Sequence, residues 1–152
     1  MTKTKIRIMD DTQLRRELDR EYKSSTQAQS CRYALMLASH ILETISYQEN
    51  ETIEEGFLID EKLLKGDAGV GDVRKASLRI HRMARGCEDP LVSAALRVCG
   101  HAVATGHMKE HAMVASDYAV RVIGLLHPDK MDEVRKERLW QIDRLKEIKS
   151  SE

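Results

Sequence analysis

A chain of 152 residues has room for one domain, and a domain of that size buries roughly two thirds of the surface its unfolded chain exposes. Hydrophobic residues make up 41% and charged residues 33%, which excludes a disordered chain, and 25 basic against 25 acidic side chains remove any global pull toward nucleic acid or anionic membrane. Aromatics, at 4%, are too few to build the stacking platforms of single-strand binders.

Two prolines and eight glycines, set mostly at the ends of periodic segments, predict an all-α fold of six or seven helices in one domain over residues 1–152. The opening MTKTKIRIMDD has no apolar export core and no stretch approaches a membrane span, so a cytoplasmic location is expected. Residues 1–10 and 149–152 are expected to fray. Asp11 or Thr12 caps a short helix through LRRELDREY, and QAQSCRYALMLASHILETI forms a longer one with Cys31, Leu35, Ala38 and Leu42 on one stripe. In ETIEEGFLIDEKLL, Ile53, Phe57 and Leu64 are expected inward, with Glu51, Glu54, Glu55, Asp60 and Glu61 forming an acidic face, before a stop at Gly66. GDAGVGD reads as a loop. Asp72 is the expected N-cap of DVRKASLRIHRMAR, which points Val73, Ala76, Ile80 and Met83 inward and ends at Gly86.

Asp89 and Pro90 open a fifth helix, PLVSAALRVCGHAVAT, that is almost wholly small or apolar. Gly106 is expected to turn the chain straight into a sixth, with Met108, Ala112, Ala115, Ala119, Val122 and Leu126 on one stripe. Alanine and glycine let backbones approach, so these two helices should form a central antiparallel hairpin. Pro128 is expected to begin the last helix, with Met131, Val134, Ile142 and Leu145 inward, Trp140 beside them and a charged exposed face.

Two groups of side chains invite a functional reading. Arg74, Lys75, Arg79, Arg82 and Arg85 share one helix and meet no acid within it, so they either answer the acidic helix before them or dock an acidic partner. His107, Glu110 and His111 spell H-x-x-E-H, the signature of inverted zinc peptidases, in which helical spacing sets two imidazoles on one metal. Only 41 residues follow His111, with no third ligand in evidence and Glu110 on the wet side, so catalytic zinc is not expected. His101 flanks the fifth helix and could complete a structural metal site with His107 and His111. Against that stands the plainer reading of imidazoles bonded to carbonyls or carboxylates at the edge of an apolar stripe, with Asp117 and Arg121 turned toward water. Cys31, Cys87 and Cys99 form no C-x-x-C pair and read as reduced thiols, Cys99 and His101 point apart on their helix, and Ser93 and Ser116 lack an activating context. No catalytic residue, cofactor or enzymatic activity is predicted.

YALMLASHILE, TIEEGFLIDEKLL, IHRMARGCEDPLVSAALRVCGHAVATGHMKEHAMVASDYAVRVI and DEVRKERLWQI together resemble the all-helical immunity proteins of bacterial polymorphic-toxin systems, with their alanine-rich A-T-x-H-x-x-x-H-A segment. That segment here is Ala104, Thr105, His107, His111 and Ala112, followed by Ala115, Asp117, Tyr118 and Ala119. The resemblance spans most of residues 27–146 and implies a cytoplasmic protein that binds and neutralises a cognate protein toxin, and the neutral charge, scarce aromatics and lack of a span leave neither nucleic acid nor membrane as an expected partner. The alternatives are a small helical metal-binding protein using the three histidines, and a helical interaction or scaffold protein.

Overall fold

The computed structural model describes residues 1–151. Within them lie seven α-helices and no strand: α1 (Thr12–Lys23), α2 (Gln27–Thr44), α3 (Glu51–Leu64), α4 (Val70–Arg85), α5 (Pro90–Ala104), α6 (His111–Leu126) and α7 (Met131–Ser150). Successive helices from α3 to α7 pack side by side, α1 returns to lie against α7, and α2 crosses behind α5, α6 and α7. The alanine-rich α5–α6 hairpin is central, as its small residues dictate. None of these helices is long and apolar enough to cross a membrane.

Local chemistry explains most boundaries. Asp11 caps α1 through the Leu14 N–H, Thr26 and Gln29 form a reciprocal capping box on α2, Asn50 caps α3, and Asp89 caps α5 ahead of Pro90. Gly66 closes the turn after α3 at φ +81°, a conformation that suits glycine. Three boundaries differ from expectation. Asp72 is the third residue of α4 and not its cap: its Oδ2 accepts the Gly69 N–H at 3.1 Å, so the helix begins at Val70 and takes the last three residues of GDAGVGD. An acid near a helix start marks either position, because both arrangements satisfy an orphan amide. The sixth helix begins at His111, since tight turns carry α5 onward through Thr105, Gly106 and His107, and Met108 is left 50% exposed in the connection. Pro128 precedes α7, and Asp129 at φ +61° turns the chain into it.

One large cluster built on Leu18, Tyr33, Leu37, Ile41, Ile53, Ile80, Val98 and Val103 fills the interior. Because three helices cover α2, its buried arc is wide and centred on Ala34, Leu37 and Ile41, leaving Leu35 at the edge. On α3 the inward line is Ile53, Gly56 and Asp60, with Phe57 and Leu64 only partly covered. Gly56 is there because an added Cβ would stand 3.0 Å from both Ile80 and Val103. The segment before α1 is not helical, yet Ile8 packs with Val120, Ile123 and Val134, and Thr2 and Asp10 bond to Asp19 and Arg138.

Candidate functional site

The central hairpin gathers the histidines at one end. His101 on α5 and His111 at the start of α6 meet nitrogen to nitrogen, Nδ1 to Nδ1, at 2.9 Å. His81 on α4 sets its ring edge-on to His101 at 4.5 Å, Tyr118 stacks against His101 at 5.4 Å, and His107 lies tilted to His111 at 5.3 Å. Gly100 makes the α4–α5 approach feasible, since a Cβ there would fall 2.6 Å from the His81 ring. Arg97 Nη1 donates to His81 Nδ1 at 2.8 Å, which requires that nitrogen to be an unprotonated acceptor. Burial, reinforced by the charges of Arg97, His111 and Arg85, pushes His81 down to about 4, and burial followed by the neighbouring histidines takes His101 to about 3. His107 and His111 are also lowered, again first by burial. His81 and His101 are thus neutral imidazoles at neutral pH. His101 and His111 bond to each other and His81 to an arginine, not to the carbonyls or carboxylates expected of such imidazoles, and His107 makes a ring contact with His111.

His107, Glu110 and His111 do not share a helical face, because His107 precedes α6 and Glu110 is its exposed N-cap. Among the described residues no group of three or more His, Cys, Asp or Glu side chains has an arrangement that could hold a metal ion.

Asp117 does not face water. It is 2% exposed and accepts both Nε and Nη2 of Arg15 at 3.0 and 2.9 Å, and Nη2 of Arg138 at 2.8 Å. Arg138, fully buried, also forks onto Asp10 at 2.9 and 2.8 Å and donates to Gln141, which continues to Glu137, and Glu137 in turn meets His40 at 2.7 Å. Burial works against the Arg138 charge, but the hydrogen bonds and charges of Asp10 and Asp117 outweigh it and hold its pKa above the usual guanidinium value. The ring of His40 lies flat on Trp140, 3.8 Å away. Asp60 is the second misplaced acid: it is 0% exposed, and no N–H or O–H among the described residues donates to either of its oxygens. Burial lifts it to about 8, the Cys31 thiol pulling the other way.

The alanine-rich segment therefore serves the interior. Ala104 and Ala112 are buried at the hairpin's close approach, and Thr105 Oγ1 donates to the His101 carbonyl while its own carbonyl accepts Gln27 Nε2. His111 and Tyr118 join the ring cluster and Asp117 the charge network. On α4, Arg74, Lys75, Arg79, Arg82 and Arg85 are exposed. Arg79 reaches Glu55 at 3.2 Å, an exposed pair of little energetic weight, whereas Arg74, Arg82 and Arg85 have no carboxylate partner among the described residues. Leu78, 56% exposed, stands one turn from both Arg74 and Arg82.

A family model described as "Imm-5 like putative immunity protein" matches residues 20–148. The chain belongs to that immunity protein family. No curated protein and no solved structure matches it. The match takes in the histidine cluster and the Asp117–Arg138 pair, but the partners Arg15 and Asp10 lie before it. The sequence reading does not single out His81, Asp60, Arg138 and Gln141 as site residues. The signal existed for three of them: Arg138 and Gln141 continue the α7 stripe of Val134, Ile142 and Leu145, and Asp60 continues that of Ile53 and Gly56.

Proposed function

We propose that this protein acts in the cytoplasm by binding a protein toxin and blocking it, with no chemistry of its own. The observation that carries the reading is membership of an immunity protein family over residues 20–148. Two further points support binding over covalent catalysis. Burial raises the Cys31 and Cys99 thiols well above their ordinary range, leaving them poor nucleophiles, and Ser116 Oγ is committed to Tyr33 and the Ala112 carbonyl. The α4 face offers a candidate contact surface, with Arg74, Arg79, Arg82 and Arg85, a residue type enriched at interfaces, around the exposed Leu78. With zero net charge, steering toward an acidic toxin surface would have to come from such a local patch. Co-expression with the toxin encoded beside this gene is the test. Survival of cells that carry both is expected, and death at the rate seen with toxin alone overturns the reading. Reversing Arg74, Arg82 and Arg85 to glutamate is expected to abolish protection, and full protection by that variant removes the α4 face from the interface.

A further inference from the structure

A groove of about 380 Å³ runs between α5 and α6, and its polar lining is Ser93, Arg97, Tyr118 and Arg121. No carboxylate lines it. Arg97 spends one donor on His81 Nδ1, and Arg121 spends one on the Arg7 carbonyl at 3.0 Å while its guanidinium lies 5.6 Å over the Tyr118 ring. A guanidinium carries five N–H donors in a planar fork that matches an oxyanion, so each arginine keeps most of its capacity. Neither pairs with an acid among the described residues. The surroundings add positive charge, because Arg85 bears on His81, and Lys5 bears on His101 and His111. Arg97 and Arg121 are partly covered and lie on adjacent helices, so two guanidiniums line one groove with no carboxylate among its lining residues.

We propose that this groove is an oxyanion subsite in which Arg97 and Arg121 hold one carboxylate, supplied by an acidic side chain of the toxin. The identity of the donor rests on the immunity reading above, whereas the anion site itself does not. A protein side chain fits better than free phosphate because the groove is mostly walled by hydrocarbon, including Pro90, Ala94 and the 44% exposed Leu125, which an incoming side chain would cover and a small ion would not. Through His81, which touches Arg97 and stands beside Arg85, the groove continues the basic face of α4.

Side-chain Nε–Hε resonances of the full-length protein, titrated separately with acetate and inorganic phosphate, test the site, and binding of the toxin encoded beside this gene tests its occupant. Saturable shifts at Arg97 and Arg121 with both anions are expected, together with a loss of toxin affinity of at least about tenfold in the Arg97→Gln, Arg121→Gln variant, as for a lost charge-assisted hydrogen bond. The Arg97→Lys, Arg121→Lys variant keeps the charges without the fork; its affinity should also fall while its helical circular dichroism and cooperative melting are retained, which separates recognition from folding. Silence of both resonances in both titrations overturns the site. Shifts with the anions but wild-type toxin affinity in both variants overturn the toxin carboxylate and leave a small-ion site. Failure of the wild-type chain to bind the toxin sinks the immunity reading for that pair, and the anion titration still decides the groove.

Discussion

Asp117 and Asp60 are equally hidden, at 2% and 0% exposed, yet the protein surrounds them in opposite ways. Asp117 meets two guanidiniums through three hydrogen bonds, and Arg138 extends that contact to Asp10 and Gln141, so α1, α6, α7 and the N-terminal segment are tied at one buried point. Asp60 meets apolar atoms, a thiol and the backbone of Gly106, and burial lifts it to about 8, so it stays protonated at neutral pH. A buried acid is thus kept either by pairing its charge or by giving the charge up. The first solution fixes geometry, and the second makes stability depend on pH.

Removing the paired acid should have the largest effect. Asp117→Ala leaves the buried Arg15 with no carboxylate and Arg138 with Asp10 alone, and a loss of about 3–5 kcal/mol is expected in chemical denaturation. Replacing Asp10, Arg15, Asp117 and Arg138 together by apolar residues of similar volume should cost less than the single change, because the penalty lies in the uncompensated charges. Equal losses would show that the network contributes directional bonding beyond neutralisation. Next comes Gly106→Ala, whose added Cβ would stand 2.4 Å from Asp60 Oδ1 and 3.0 Å from Leu63 and Val73, for a cost of up to about 3 kcal/mol. In an Asp60→Ala background the same substitution should cost clearly less, and a double-mutant cycle showing no coupling would contradict this packing.

The pH dependence of stability separates the two acids further. In the unfolded chain Asp60 ionises near pH 4, and in the folded chain at about 8. Between those values the folded state holds a proton that the unfolded state has shed, so stability falls as pH rises and is complete only below the unfolded pKa. His81, His101, His107 and His111 act in the opposite sense, since their folded values are lowered, and their effect tails off above about pH 6.5 as unfolded imidazole sheds its proton. The Met1 amino group, lowered by its contact with Lys23, opposes Asp60 as well, so the share of Asp60 is read from wild type minus Asp60→Asn. That difference in unfolding free energy should drop by about 1.5 kcal/mol from about pH 6.5 to 8. A difference that is level or rising there would contradict a protonated Asp60.

Periodicity made the helices legible because the apolar stripe of each is set by local spacing, and caps such as Asp11, Thr26 and Asp89 mark starts that involve only neighbouring residues. The buried charges were less legible because nothing local tells whether a charged residue on a stripe will be met. Arg138 is separated from Asp10 by 128 positions, and Asp117 from Arg15 by 102. His81 could not be joined to His101 from spacing, since that contact depends on how closely α4 rides on Gly100. The α6 start was misread for a similar reason: a helical register drawn through Met108 overlooked the tight turns that carry α5 past Thr105.

The smallest expected effects return to H-x-x-E-H and separate its residues by environment. His111 is half-buried, and its Nδ1 shares one proton with His101 Nδ1 across 2.9 Å, so one ring donates and the other accepts. His111→Ala removes that partner beside the buried His101 and should cost about 1 kcal/mol. Glu110 is exposed at the head of α6 and makes no side-chain capping bond, so Glu110→Gln should change stability by less than about 0.5 kcal/mol. Elemental analysis of protein purified without an affinity tag supplies a control on the chemistry as well as the energy. Near-equimolar zinc lost in a His107→Ala, His111→Ala variant, with a large penalty for both single changes, would mean that the imidazoles hold a metal rather than one another. A small, histidine-specific loss with wild-type metal content unchanged would fix their role as the polar junction of α4, α5 and α6.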